Sequence, residues 1–456
     1  MRFRSSEAAA AIGGRLCGPD VWIDGASFDS RSLRPGSLFV PIVAARDGHD
    51  HIDDAFSAGA AAALTSRPAG SLHLPPTSTA IEVADTAAAL MALGEWGRSR
   101  RPDRVVGITG SVGKTSTKDL LAAVLASTMR TTASPRSFNN EQGLPITILD
   151  SPDDTEVMVL EMGMRGPGQI ARLCAVARPT VGVVTAVGAA HTGLVGGIEG
   201  VARAKGELVE ALEPSGLAVL NADDARVREM AARTTARIIT FGAALDADVH
   251  IDAVRLDDRA RPRFTVRTPW GAADVRLAVS GAHMAGNAAA AIAAAGMLGV
   301  AVDVAAAALA TAAITEGRMQ VLTAPSGALI VNDAYNANPT SVTAALDALA
   351  AMPARRRVAV LGLMAEIDDP AAGHRLVGAH AARLGIELMA VGVELYGVTP
   401  VDDPVQALGP LGPGDVVLVK GSLVAGLQPL AKGLAGATSH SADTSTWPGP
   451  HRRGRS

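Results

Sequence analysis

Short apolar runs alternate with segments of helical periodicity along most of this chain. In the middle part, the runs VVGIT, EVMVL and VGVVTAVG are each followed by a polar turn and then by a stretch with helical spacing. Repeated strand-to-helix alternation is typical of a parallel sheet that is covered by helices on both faces. The pattern therefore predicts an α/β protein whose central sheet is doubly wound and mostly parallel.

Changes in this pattern divide the 456 residues into three domains and a tail. Within residues 1–101 the pattern predicts a small α/β unit, because polar turns such as FDSRS alternate with short apolar runs. Residues 102–315 hold the central sheet, with an antiparallel edge formed by segments such as RPRFTVRTPW. Residues 316–436 alternate strand and helix again in a Rossmann-like manner, although no G-x-G-x-x-G supports dinucleotide redox chemistry. Residues 437–456 are polar and rich in Gly, Pro and Ser, which predicts a disordered tail.

Composition excludes several classes of function. The net charge of −4 gives no basic surface for nucleic acid, and the Ala-rich runs are interrupted before they reach membrane-spanning length. The N-terminal segment lacks the apolar core of a secretion signal. Cys17 and Cys174 lie far apart without metal-binding spacing, so we expect two buried thiols in a reducing compartment. We therefore expect a cytoplasmic monomer that neither binds nucleic acid nor enters a membrane.

The segment VVGITGSVGKTSTKDL is the most informative stretch, because an apolar strand ends there in a Gly-rich turn that opens into a helix. Inward-pointing N–H groups, the helix N-terminus, a lysine and a hydroxyl able to ligate Mg²⁺ would together bind a triphosphate. A strict G-x-x-x-x-G-K-[ST] motif would have glycine in place of Ile108, and an ordinary turn with an accidental lysine is the alternative. The candidate phosphate loop comprises Gly110, Ser111, Val112, Gly113, Lys114, Thr115 and Ser116.

Lysine is scarce in this chain. Lys and Arg together number 41, and arginine supplies nearly all of them. A lysine that persists in such a background indicates a site that needs a flexible ammonium or a deprotonatable amine, with chance survival as the alternative. The lysines are Lys114, Lys118, Lys205, Lys420 and Lys432.

Two further strands carry polar residues toward the same edge of the predicted sheet. Glu161 follows the run EVMVL, and His191 follows VGVVTAVG after a short turn. The carboxyl ends of parallel strands meet at one edge, where ligands of open α/β sheets bind. We therefore expect Glu161 to hold Mg²⁺ together with the hydroxyl of Thr115, although Glu161 and His191 could each merely cap a loop.

Lys205 lies in the helical segment GVARAKGELVEAL, where a lysine beside a glutamate is usually exposed. In a protein so poor in lysine, a second role is open to it. Its neutral amine can take up CO₂ and become a carbamate, which would supply an oxygen ligand for a second Mg²⁺.

Other polar residues occupy predicted loops and are weaker signals, because the same residue types form ordinary turns. Ser30 in the DSR string and Asp47, Gly48 and His49 in the DGH string could bind an anionic ligand. Lys420 lies at another strand-to-helix turn.

Several strings together carry a family resemblance. DSR with RPGSLFV and DGHDHI, TGSVGKTS, NNEQGLP, EMGMRGPGQI, AHTG with ARAKGEL, GRMQ and DAYNANPTS resemble the Mur ligases over nearly the whole chain except the tail. YNANP is the most specific of them. Two positions depart from the family pattern, since Leu423 follows KGS where a basic residue is common and Leu363 follows VLG where an acidic one is common.

The resemblance implies a three-domain ATP-dependent amide ligase of peptidoglycan precursor synthesis. The implied substrates are ATP, UDP-N-acetylmuramoyl tripeptide and D-alanyl-D-alanine. In the implied reaction, the tripeptide carboxylate takes the γ-phosphoryl group of ATP, and the amine of the dipeptide then attacks the acyl phosphate. Both the lysine and the diaminopimelate form of the tripeptide fit the sequence.

The resemblance also implies a role for each matching residue. The candidate phosphate loop would bind ATP, with Lys114 acting in catalysis, and Thr115 with Glu161 would bind one Mg²⁺. His191 and carbamylated Lys205 would bind the second Mg²⁺ and so take part in catalysis. The other implied ATP-binding residues are Asn287, Arg318, Asp333, Tyr335 and Asn336, and the implied substrate-binding residues are Ser30, Asp47, Gly48, His49, Asn139, Asn140 and Lys420.

Two alternative functions stay open on the sequence. One is another ligase of the superfamily, such as the diaminopimelate/lysine-adding Mur ligase or a folylpolyglutamate synthetase, against which the YNANP string weighs. The other is a non-catalytic nucleotide-binding scaffold, which would not require Glu161, His191 and Lys205.

Overall fold

The computed structural model describes residues 1–72, 75, 77–188, 195–365 and 367–436. The predicted tail at 437–456 lies outside these residues. The strands pair into separate sheets that follow one another along the chain.

The N-terminal sheet is small and mostly parallel. Its elements are β1 Arg2–Arg4, α1 Ser5–Ala11, β2 Arg15–Cys17, β3 Trp22–Asp24, β4 Ala26–Ser27, β5 Leu38–Phe39, α2 Ile52–Ser57, β6 Ala62–Thr65, β7 Thr79–Glu82 and α3 Thr86–Arg98. The strand order is β2-β7-β6-β5-β4, with β2 antiparallel to β7, while β1 and β3 form a separate antiparallel pair.

The central sheet follows in the chain. Its elements are β8 Val105–Thr109, α4 Lys114–Ala126, β9 Thr131–Ala133, α5 Gly143–Asp150, β10 Val157–Glu161, α6 Gln169–Ala177, β11 Val181–Val184, α7 Gly197–Glu210, β12 Leu217–Asn221, α8 Ala225–Glu229, β13 Arg237–Gly242, β14 Val249–Leu256, β15 Pro262–Thr268, β16 Gly271–Arg276, α9 Met284–Met297 and α10 Val302–Leu309.

The order of the central strands is β16-β15-β14-β13-β12-β11-β8-β10-β9. The strands from β9 to β14 in this order are parallel, and β15 and β16 form the antiparallel edge. Val106 and Ile108 of β8 share a core with α4 and α9, whereas Val105 shares one with α6 and α7. Because helices cover both faces, the inner strands are continuously apolar. The doubly wound, mostly parallel sheet predicted from the sequence is confirmed.

The C-terminal sheet repeats the α/β pattern. Its elements are β17 Gln320–Thr323, β18 Leu329–Asp333, α11 Pro339–Ala351, β19 Arg356–Leu361, α12 Pro370–Arg383, β20 Glu387–Ala390, α13 Pro404–Leu408, β21 Asp415–Lys420 and α14 Gln428–Leu434. The order is β17-β18-β21-β19-β20, parallel except for β17 at the edge.

Helix α5 begins at Gly143, although Asn139, Asn140 and the stretch from Gly143 to Pro145 are typical of a loop by their residue types. Asn140 explains its start, because the Asn140 side-chain oxygen accepts hydrogen bonds from the backbone N–H groups of Gln142 and Gly143 at 3.1 and 2.9 Å. Pro145 lies in the first turn, where a missing N–H leaves no helical hydrogen bond unmade. The polar residues before α5 thus begin a helix rather than extend a loop.

Helix α5 packs into the N-terminal core. Ile146 and Leu149 belong to the same apolar cluster as Phe3. The amino group of Met1 donates to the carbonyl oxygens of Leu149 and Ser151 at 2.8 and 2.7 Å. The domain boundaries stay a prediction, but this core draws side chains from beyond residue 101.

Two smaller expectations concern membranes and cysteines. None of the helices in the described part of the chain is both long and apolar enough to cross a membrane. Cys174 is buried, and burial raises the pKa of its thiol to about 12. Cys17 is partly exposed, so the expectation of two buried thiols is wrong for this residue. It lies on the short edge strand β2, which the core covers incompletely.

Gly94 tests the contact between α3 and α5. A Cβ built on Gly94 would lie 2.7 Å from Pro145 Cβ, so Gly94→Ala should destabilise the protein by about 1–3 kcal/mol through overpacking. Gly286→Ala in α9 is the control, because a Cβ there meets nothing within 4 Å and should stabilise by up to about 1 kcal/mol. Thermal unfolding of both variants checks this, and a Gly94→Ala melting temperature at or above wild type would contradict the close packing.

Candidate active site

The candidate phosphate loop turns sharply between β8 and α4. Gly110 has φ +152° and Gly113 has φ +84°, and Gly113 caps the helix that begins at Lys114. A Cβ on Gly110 would lie 1.9 Å from Thr185 Oγ1, and a Cβ on Gly113 would lie 2.5 Å from Asn287 Oδ1. Both glycines are therefore required by backbone conformation and by close neighbours.

The residues after β11 hold this loop. The backbone N–H of Ser111 donates to Ala186 O at 2.8 Å, and the N–H of Gly188 donates to Ser111 Oγ at 2.9 Å. The Thr185 hydroxyl donates to Val112 O at 2.6 Å. The loop conformation is thus set by the neighbouring strand end before any ligand binds.

Glu161 and Thr115 meet beside the loop. The Thr115 hydroxyl donates to Glu161 Oε2 at 2.7 Å, and Asn139 Nδ2 donates to Glu161 Oε1 at 2.8 Å. Only 1% of Glu161 is exposed. A buried carboxylate next to a hydroxyl, at the first turn of the phosphate-loop helix, is an oxygen donor pair of the kind that Mg²⁺ prefers. The residues present therefore fit this ion.

Lys205 is buried on α7 with 2% of its surface exposed. Burial lowers its pKa well below the usual range, and the nearby charge of Lys114 lowers it further. A lowered pKa favours the neutral amine, which is the form that reacts with CO₂, so Lys205 fits carbamate formation. His191 lies outside the described residues. Across the part of the chain that is described, no three His, Cys, Asp or Glu side chains gather into a metal-binding cluster.

A second polar cluster stands on the C-terminal sheet. The Lys420 ammonium donates to Asp333 Oδ2 at 2.6 Å and to Asn336 O at 2.9 Å. Only 2% of Lys420 is exposed, and its contacts fix the loop that follows β18. Neither its ammonium nor the Asp333 carboxylate faces open solvent. The substrate-binding role implied for Lys420 stays a prediction.

Arg318 joins the C-terminal part to the central part. Its guanidinium lies over the ring of Tyr335, 4.5 Å from the centroid, and donates to Ser137 Oγ at 3.3 Å. Nearby, a Cβ built on Gly188 would lie 3.6 Å from both Ser111 Cβ and Thr340 Oγ1. The phosphate loop and the first turn of α11 are therefore close neighbours.

The implied substrate residues of the N-terminal part are held by their own contacts. His49 is buried, with Nδ1 2.6 Å from Asp47 Oδ1 and with Nε2 accepting from the N–H of Ser66 at 3.0 Å. The His49 hydrogen bonds lower the pKa of Asp47, and Arg67 pairs with the same carboxylate. These residues shape the loop around Gly48, and both ring nitrogens of His49 are engaged.

Ser30 lies on a loop close to another candidate residue, Asn139. It lies in a short helical turn capped by Asp29, and the ring of the adjacent Phe28 packs on Phe138, with centroids 5.4 Å apart. The Ser30 loop is therefore next to the loop that carries Asn139.

Comparison with known proteins gives the same picture. Residues 108–295 match the family described as Mur ligase middle domain, and residues 317–423 match Mur ligase, glutamate ligase domain. The UDP-N-acetylmuramoyl-tripeptide--D-alanyl-D-alanine ligase of Mycobacterium tuberculosis is 41% identical over 464 residues, covering 89% of this chain and 91% of that protein. This chain belongs to the Mur ligase family.

Solved structures of Mur ligases have the same fold. MurF from Acinetobacter baumannii matches with a TM-score of 0.84 at 28% identity, covering 96% of this chain and 99% of that chain. The MurF ligase of Thermotoga maritima, solved in complex with ADP, matches with a TM-score of 0.79 at 27% identity, covering 91% and 97%. The multidomain α/β fold implied by the resemblance is thereby confirmed.

In this Mur ligase, sequence reasoning missed several residues that shape the site. Thr185 closes the phosphate loop, and Lys118 donates from α4 to Ser134 O at 2.6 Å. The scarcity of lysine singled out Lys118 without giving it a role, whereas a lone threonine in an apolar run carries no signal. The Asn140 side chain accepts hydrogen bonds at the start of α5, and its implied substrate-binding role stays a prediction.

Gly113 tests the phosphate loop. Gly113→Ala should weaken binding of ADP by at least about tenfold, because its methyl group meets Asn287 Oδ1 and its φ disfavours any side chain. Gly168→Ala is the matched control, since Gly168 also caps a helix, with φ +77°, but a Cβ there meets nothing within 4 Å. Isothermal titration with ADP measures both, and equal affinities in the two variants would contradict the steric argument.

Proposed function

We propose that this chain is a cytoplasmic, monomeric, ATP-dependent ligase that joins D-alanyl-D-alanine to UDP-N-acetylmuramoyl tripeptide in peptidoglycan precursor synthesis. The observation that carries this proposal is the approach of the C-terminal part to the central site, where Arg318 donates to Ser137 and Thr340 of α11 lies close to Ser111 of the phosphate loop. The proposed substrates follow from the similarity to the UDP-N-acetylmuramoyl-tripeptide--D-alanyl-D-alanine ligase of Mycobacterium tuberculosis.

The reaction needs an activated acid, because a free carboxylate does not form an amide with an amine in water. The carboxylate oxygen of the tripeptide attacks the γ-phosphorus of ATP, ADP leaves, and an acyl phosphate results. The dipeptide amine then attacks the acyl carbon, inorganic phosphate leaves, and the amine loses a proton. Several anions must converge in the first step, so the protein has to supply positive charge around them.

The residues of the site divide this work. Lys114 and Arg318 would lie on either side of the transferring phosphoryl group. Thr115 and Glu161 would hold one Mg²⁺, and His191 with carbamylated Lys205 would hold a second. These ions neutralise phosphate charge when they are bound. The chain itself orients the phosphates through the loop from Gly110 and excludes water by packing α11 against it.

The remaining residues would place the other substrates. Asn287, Asp333, Tyr335 and Asn336 border the space between the two sheets, where the adenosine of ATP would lie. Ser30 and Asn139 stand on adjacent loops, where the UDP-sugar peptide would enter. Asp47, Gly48, His49, Asn140 and Lys420 are the other residues that we propose to contact the substrates.

The direct test is phosphate release from ATP. We expect release with the lysine or the diaminopimelate form of UDP-N-acetylmuramoyl tripeptide only when D-alanyl-D-alanine is also present. Lys114→Ala should lower this rate by about 10²–10³-fold, because the cation at the transferring group is lost. Turnover within about threefold of wild type would contradict the role of Lys114, and absence of release by the wild-type protein with both tripeptides would overturn the proposed function.

Lys205 offers a test of the carbamate. Lys205→Ala should lose most activity and regain part of it in acetate, since a small carboxylate can occupy the space of the missing group. Lys432→Ala is the control, because Lys432 forms an exposed ion pair with Glu316 at 3.0 Å and should respond to neither change. Full activity of Lys205→Ala, or a loss that acetate leaves unchanged, would count against a carbamate at Lys205.

A further inference from the structure

Lys118 is a buried cation that the proposed reaction does not use. It follows Lys114 by one helical turn, and its side chain is 2% exposed. The ammonium donates to the carbonyl oxygens of Ser134 and Arg136 at 2.6 and 2.9 Å and lies 2.9 Å from Asp119 Oδ1. Two carbonyl oxygens accept hydrogen bonds from the ammonium, and the Asp119 carboxylate balances its charge, as burial of a charge requires.

Asp119 extends this contact to the segment between the central and C-terminal sheets. Its second oxygen, Oδ2, accepts from the backbone N–H and the hydroxyl of Thr315 at 2.7 and 2.8 Å. Thr315 lies between α10 and β17, where the chain passes from one sheet to the next. The ion pair thus binds the phosphate-loop helix to two other segments of chain.

Both segments lead directly to the candidate active site. From Ser134 and Arg136 the chain runs on to Ser137 and to Asn139, which donates to Glu161. Arg136 has φ +49°, a conformation that a non-glycine residue keeps only where its surroundings hold it. The two carbonyl contacts of Lys118 supply that restraint on one side of the site.

The other segment leads to Arg318. It runs from Thr315 to Gly317, whose carbonyl oxygen accepts from the N–H of Tyr335 at 3.2 Å. After Arg318 it reaches Met319, whose N–H donates to Asp333 Oδ1 at 3.1 Å. Arg318 therefore stands between two fixed points. The two segments meet again where Arg318 donates to Ser137.

We propose that Lys118 and Asp119 are positioning residues, which set where Arg318 and Asn139 stand relative to the phosphate loop. Because α4 also begins with Lys114, one rigid helix carries the ammonium that meets the phosphates and the pair that fixes both segments. A buried ion pair is an inefficient source of stability compared with apolar packing, so its value lies in the geometry it imposes. When turnover is measured, the test of this inference also rests on the proposed function.

The identity of the cation supports this assignment. A lysine ammonium carries three N–H donors on one compact nitrogen, whereas an arginine guanidinium spreads five N–H donors in a plane. Two carbonyl oxygens and a carboxylate oxygen surround the Lys118 ammonium at 2.6 to 2.9 Å. This arrangement accounts for a lysine in a chain that uses arginine nearly everywhere else.

A double-mutant cycle between Asp119 and Arg318 tests the proposal. Asp119→Ala should lower kcat by about 10–100-fold, as expected for a displaced catalytic group. In the Arg318→Ala background, the same change should cost less than about threefold, because Asp119 holds the Thr315 segment that carries Arg318, whereas Lys118 holds the segment that carries Asn139. Asp248→Ala is the matched control, since Asp248 also binds both the N–H and the hydroxyl of a threonine, Thr240, at 2.8 and 2.7 Å, and it should change kcat by less than about twofold.

Binding of a non-hydrolysable ATP analogue provides a readout without turnover. Asp119→Ala should raise the Kd of the analogue by about 3–10-fold at unchanged stoichiometry. We expect this increase only when Arg318 is present. A purely structural defect would lower the binding stoichiometry instead, and this result would overturn the proposal. So would a double variant in which the effects of Asp119→Ala and Arg318→Ala on the Kd multiply. If the wild-type protein shows no turnover, the proposed function fails, and the Kd cycle still decides the positioning role.

A milder variant covers the case in which Asp119→Ala does not fold. Thr315→Val removes only the hydroxyl contact with Asp119 Oδ2 and keeps the backbone N–H donor. We expect a smaller loss of kcat, about two- to fivefold, that also disappears in the Arg318→Ala background. A Thr315→Val loss of equal size with and without Arg318 would contradict the proposal.

Discussion

The parallel register of β8, β10 and β11 is the constraint on which the site depends. Glu161 at the end of β10 pairs with Ile108, and Val184 at the end of β11 pairs with Thr109. The three strands therefore end at one level, and the loops after them must share the same space. A register slip of one residue would turn the Glu161 side chain to the other face of the sheet, away from Thr115.

The buried lysines near the active site have two kinds of surroundings. Lys118 and Lys420 lie among carbonyl and carboxylate oxygens, and each thereby fixes a loop. Lys205 instead has its pKa lowered, and its neighbour Lys114 contributes to that shift. A paired ammonium group holds the neighbouring loop in a defined position, whereas a lowered pKa favours the reactive neutral amine.

The sequence predicted the parts that follow from periodicity and from local chemistry. The apolar runs defined the inner strands, and the order of glycine, lysine and threonine defined the phosphate loop, so the pairing of Thr115 with Glu161 could be expected. It did not predict α5, because the stretch before Pro145 is typical of a loop until Asn140 is seen to cap a helix. It also did not predict that the Asp47 and His49 side chains would bind each other, since such contacts depend on how turns pack in three dimensions.

Helix α5 has a consequence for how the protein is made. Its side chains Ile146 and Leu149 complete the core around Phe3, although β8, α4 and β9 separate them from the N-terminal strands in the chain. During synthesis the first hundred residues leave the ribosome with part of their apolar surface uncovered, and this surface is closed only after the phosphate-loop segment has followed. The two units are therefore expected to mature together rather than in succession.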